Sequence, residues 1–111
     1  MTNLELYEKL VAEFPEIQRN GEANPYTSLN GHMFSFLDKE NRLSIRFSKT
    51  DQAEFIEQHE TTVSIQYGSI MNGYAIVPQS LLERTDELKP YFQMSIDYVL
   101  SLKSKPSKKK G

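Results

Sequence analysis

Residues Tyr26 to Ser48 read YTSLNGHMFSFLDKENRLSIRFS. Asn30-Gly31 stands between two apolar-containing runs, and Asn-Gly tolerates the two positive φ angles of a type I′ hairpin turn. The run His32 to Leu37 then meets Leu43 to Ser48 across the polar loop Asp38-Lys-Glu-Asn41. A three-stranded antiparallel meander follows from this pattern. In its third strand Leu43, Ile45 and Phe47 alternate with Ser44, Arg46 and Ser48, which predicts one buried and one wet face.

Upstream, Leu4, Leu6, Tyr7, Leu10, Val11 and Phe14 recur at helical spacing and predict an amphipathic helix over residues 3–14, stopped by Pro15. Residues 15–25 are rich in turn formers and read as a connector. Downstream, Thr50 is the expected cap of a short helix docked by Phe55 and Ile56. Val63, Ile65 and Tyr67 then alternate with Thr62, Ser64 and Gln66 as a fourth strand, and Gly68 reads as a bulge or bend. A second Asn-Gly, Asn72-Gly73, is expected to turn the chain into a fifth strand, Tyr74 to Val77, that Pro78 ends. Ser80 to Glu83 matches a capping box, and Asp86 is expected to cap a closing helix with Pro90 in its opening turn. That helix carries Leu88, Tyr91, Phe92, Ser95, Val99 and Leu102 to about Lys103.

The order is α-β-β-β-α-β-β-α. It predicts a two-layer α+β fold, a five-stranded antiparallel sheet with helices mainly on one face and an open polar face opposite. Residues 1–103 suffice for one domain with one core, and 104–111 read as a disordered lysine-rich tail.

Composition narrows the chemistry. With no cysteine, thiol nucleophiles, thiolate metal sites and disulfides are excluded. No apolar run spans a bilayer and no leader precedes Asn3, so a cytoplasmic protein without membrane contact is expected. Five of the thirteen cations, Lys103, Lys105, Lys108, Lys109 and Lys110, follow Leu102, leaving eight against fifteen acids and a body charge of −7. Such a body repels phosphate, so only the tail, with Lys108, Lys109 and Lys110 as its last cations, could serve weak nucleic-acid contact.

His32 and His59 lack the spacing of a metal site and read as surface residues. There is no GxSxG elbow, no phosphate cradle among the isolated glycines, and no acid pair set for catalysis. Phe34, Phe36, Tyr67 and Tyr74 read as core rather than as a base-stacking platform. No enzyme and no cofactor is expected. The binding candidates are Arg46 with Ser44, Ser64 and Gln66 on the polar sheet face, or a groove beside the last helix.

Two stretches, Leu29 to Asp38 followed by Arg42 to Phe47, and Met71 to Pro78 with Leu81-Leu82, resemble the N-terminal domain of the TfoX (Sxy) family. Tyr91, Ser95, Tyr98, Leu102-Lys103 and the lysine end fit the helix and tail of its stand-alone members. At the family's arginine-methionine-phenylalanine-diglycine signature this chain keeps Arg19 but continues Asn20-Gly-Glu-Ala-Asn24. The resemblance implies a fold shared with YjbR-like proteins and type III secretion chaperones, which commonly pair, so a homodimer is one expected arrangement. It also implies a link to competence regulation and offers no catalytic residues. A non-enzymatic domain acting through protein contacts is therefore expected, with a nucleic-acid accessory and a small-ligand binder or enzyme as alternatives.

Overall fold

Asn30-Gly31 makes the expected turn, with φ of +57° and +80°, and the computed structural model around it describes residues 1–104. Its elements are α1 (Asn3–Ala12), β1 (Tyr26–Leu29), β2 (His32–Leu37), β3 (Leu43–Arg46), α2 (Lys49–His59), β4 (Val63–Gln66), β5 (Ser69–Ile76), α3 (Gln79–Leu82) and α4 (Thr85–Ser101). The strands form one antiparallel sheet in the order β1-β2-β3-β5-β4. The inner sheet face and the four helices share one core, so the fold is the two-layer α+β arrangement.

The meander departs from strict alternation at one place. Thr27 faces Ser35 and Ser28 faces Met33, so Phe34 is an extra residue in β2. This bulge turns both Phe34 and Ser35 toward the helices. The Phe34 ring lies 5.3 Å from that of Phe92 in α4. The Ser35 hydroxyl bonds the Tyr7 hydroxyl of α1 at 2.6 Å and also meets Thr27. Burial pushes the Tyr7 phenol up to about 12, so it remains a neutral bonding partner inside the core.

Several helix ends differ from expectation. α1 stops at Ala12, and Phe14 enters the core from the turn that follows. A capping box does occur, at Thr2 and Glu5: Glu5 N–H donates to Thr2 Oγ1 and Thr2 N–H to Glu5 Oε1. Ser48, not Thr50, caps α2; its backbone is extended and its hydroxyl accepts from the Asp51 amide, whereas Thr50 is already helical. α3 starts straight after Pro78, whose fixed φ suits that position, which leaves Ser80 inside the helix with no capping role. α4 begins at Thr85, places Asp86 in its first turn, and runs through Pro90. Full burial of Leu88, Phe92, Ile96 and Val99 holds the helix across the missing amide.

The turn also terminates the last helix. Asn30 Nδ2 donates to the carbonyls of Val99 and Leu102, both at 2.9 Å, and His32 Nε2 donates to the Lys103 carbonyl at 2.8 Å. Carbonyls at and just beyond the end of α4 thus take bonds from a hairpin far away in sequence.

Candidate functional site: the outer sheet face and its overhanging hairpin

The outer face of the sheet is not an open polar surface. The β4–β5 hairpin turns at Tyr67-Gly68, with φ of +54° and +78°, and not at Asn72-Gly73, which lies inside β5. Between two paired positions β4 advances from Val63 to Ile65 while β5 runs from Ala75 to Ile70. The surplus residues around Met71 to Gly73 act as a wide bulge and bend the ribbon. Its tip lies back over the sheet: Gln66 Nε2 donates to Asp38 Oδ2 at 3.3 Å, and the Lys39 ammonium sits 5.1 Å from the Tyr67 ring centre.

Beneath this overhang is an apolar groove of about 500 Å³. Pro25, Tyr26, Met33 and Phe36 form one side, and Gln66, Tyr67 and Met71 the other. The Phe36 ring packs 5.4 Å from Tyr74, whose hydroxyl donates to the Met33 carbonyl at 2.6 Å. Burial raises the Tyr74 phenol to about 12, with the Arg46 charge opposing, so the ring stays a neutral donor. On the rim Tyr67 is 83% exposed, and Ile65 and Ile70, paired in the same hairpin, are 51 and 62% exposed. Large apolar side chains adjoining on one surface mark a contact site.

The sequence-derived candidates fall in different surroundings. Ser44 and Ser64 are fully buried, Ser44 Oγ donating to Ser64 Oγ at 3.0 Å under the folded hairpin, so neither is free to meet a partner. Gln66 is half-buried and engaged by Asp38. Arg46 is half-buried, its guanidinium carbon 5.6 Å from the Tyr98 ring centre, with Nε sealed from solvent and without an acceptor. Lys108, Lys109 and Lys110 lie outside the described residues. Phe34 lies in the core as expected; Phe36 and Tyr74 are buried against each other on the outer face beside the groove instead, and Tyr67 sits exposed at the hairpin turn.

His59 is not a solvated end residue either. Its ring packs at 4.6 Å on Phe55 and at 5.1 Å on Tyr91, and Nε2 bonds the Tyr91 hydroxyl at 3.1 Å. Among the described residues no three acidic or histidine side chains converge as a metal site. No helix there is long and apolar enough to cross a membrane.

Asp38 pins the groove's rim. Its side chain, 2% exposed, accepts from the amides of Glu40 and Arg42 at 2.8 and 3.0 Å and from Arg42 Nε at 2.9 Å. Burial alone would raise this carboxyl; the Arg42 amide and guanidinium and the Glu40 amide outweigh it and hold it below its ordinary value of 3.8. A depressed folded-state value means the native state binds its proton less readily than the unfolded chain. The stabilisation is therefore complete above the ordinary carboxylate range and is lost as pH falls through the lower, folded value. Asp38→Ala should cost about 2 kcal/mol at pH 7 and much less near pH 2, read from urea melts at both values. An equal loss at both would show that the charge is not what holds the loop.

The fold and groove define a two-layer α+β domain whose sheet presents a covered apolar cleft on the side away from its helices. Comparison with family profiles and with curated proteins finds no match for this chain.

Proposed function

We propose that the chain is a non-enzymatic binding domain of the TfoX N-terminal type, working in the cytoplasm through protein contacts at the outer groove and the hairpin above it. The observation that carries this reading is the hairpin itself: Tyr67 stands exposed on the groove's rim, and the paired Ile65 and Ile70 of the same hairpin are exposed beside it. A small molecule filling about 500 Å³ leaves those side chains wet, whereas a protein covers both and gains the area around a central pocket. A regulatory role of the kind implied by the family resemblance fits a domain that acts by contact alone.

The second reading, a small apolar ligand, is favoured by the groove's volume, which lies within the usual range for such sites. A nucleic-acid role would fall to the tail, because the body's charge of −7 opposes phosphate.

The test places a photo-crosslinking amino acid at Ser69 on the groove, and separately at exposed Gln93 of α4, in the producing cell. A protein adduct is expected at position 69, at least tenfold weaker with Met71→Glu, and none at 93. A small molecule seen on the purified protein by native mass spectrometry, and lost with Met71→Glu, would favour the second reading. Equal crosslinking at both positions with nothing bound would sink both.

A further inference from the structure

We infer that β4 is a docking edge for an extended segment of a partner protein that carries basic residues among β-branched ones. The inference rests on the protein-contact reading above and names the chemistry of the partner. A strand at the margin of a sheet presents every second amide and carbonyl to solvent, and proteins usually guard such edges with lysine, proline or a covering segment. The β1 edge is guarded: Pro25 precedes it, and Asn20 exchanges two backbone bonds with Tyr26 at 2.8 and 2.9 Å. The β4 edge is not. The whole run from Thr61 to Leu82 carries no charged side chain, although a quarter of the chain is charged, and Pro78 is its only proline. The bulge that could blunt β4 has its surplus residues on β5, the inner strand.

The backbone phase agrees. Ile76 N–H donates to the Thr62 carbonyl at 3.0 Å, so Thr62 faces β5 and the next residue, Val63, directs its amide and carbonyl outward. Ile65, half-exposed on the same strand, offers an apolar contact, and Ile70 and Tyr67 extend it. This is the arrangement required for strand addition, in which main-chain bonds supply affinity and alternate side chains supply choice.

Charge selects the occupant. α2 leads directly into β4 and bears Asp51, Glu54 and Glu57, with Glu60 at its cap, against Lys49 alone among lysines and arginines. None of these carboxylates makes an ion pair among the described residues. The partner's basic residues therefore belong at the Thr61 end, beside Glu57 and Glu60. A second copy would instead bring two bodies of charge −7 edge to edge.

The test titrates the full ¹⁵N- and methyl-labelled chain with a capped heptapeptide of alternating lysine and valine, and with its glutamate counterpart. Shifts and slowed exchange are expected at the amides of Val63 and Ile65, with the lysine peptide binding at least tenfold more tightly. Ile65→Lys, at a half-exposed position, should abolish this while leaving the melting temperature unchanged. Equal affinity for both peptides, or no binding by either at millimolar concentration, overturns the proposal. Shifts confined to the Met33 and Met71 methyls would also overturn it while leaving the groove reading intact. So would protection of β4 that grows with protein concentration alone and tracks a doubling of mass by light scattering, since the occupant would then be a second copy.

Discussion

Phe92→Ala should lower the stability of this domain by about 3–5 kcal/mol, close to the limit a chain of this size tolerates. Phe92 is fully buried, and its ring lies 5.0 Å from Phe14 and 5.3 Å from Phe34. It is the point where α4, the segment after α1 and the bulged strand β2 meet. Truncation removes the ring from all three at once, and a backbone fixed by a helix and a bulge has little room to collapse into the space. Guanidinium melts followed by circular dichroism should show the midpoint falling with the slope preserved. A loss below about 1 kcal/mol would mean that the helical layer does not seat on β2 through this ring.

Gly73→Val should be the most damaging change on the outer face, at about 2–3 kcal/mol. The residue has φ of +88°, and a Cβ there would stand 3.3 Å from the Phe47 carbonyl oxygen and 3.4 Å from Arg46 Cγ. Valine combines a disfavoured backbone with a branched side chain against a main-chain atom that cannot step aside, since Phe47 N–H is bonded to the Gly73 carbonyl at 2.8 Å. The bend then opens, and the Gln66–Asp38 and Tyr67–Lys39 contacts go with it. Gly68→Ala is the control: its φ is +78°, but no atom lies within 4 Å of the added methyl, so it should cost about 1 kcal/mol. In both proteins the Tyr67 ring and Lys39 ammonium signals report whether the tip remains over the groove. Equal costs would show that crowding at Phe47 plays no part.

These two sites also show what the residues disclosed. The sheet order through β3, the helical faces and the closing helix follow from periodicity and from Asn30-Gly31, because local turn chemistry and burial act together there. The same reasoning failed at Asn72-Gly73, where an identical dipeptide serves a bulge. Glycine supplies a positive φ to either structure, and strand pairing decides which forms. Placing the turn wrongly misread which residues are exposed: Val63, Ile65 and Tyr67 alternate as a core strand would, yet the bend leaves Ile65 and Tyr67 outside. Ser44 and Ser64 looked polar and free but satisfy each other. Arg46 was legible as a residue of the polar face, since its position on β3 is fixed by the alternation, whereas its neighbour Tyr98 comes from an element distant in sequence. One signal for the proposed docking edge was present in the chain, the uncharged run after Glu60, and it can be weighed only once β4 is known to be an edge.

The side-chain amide of Asn30, held at the hairpin turn, fastens the far end of α4 to the opposite end of the chain. Without α4 in place, Phe34, Ile45 and Ala75 would share a core with α1, α2 and α3 alone. Partial release of α4 would therefore bare the sheet's inner face before any strand separates, and the Asn30 amide is the latch that opposes it. Loosening that latch would leave an intact sheet with part of its greasy side open to other chains.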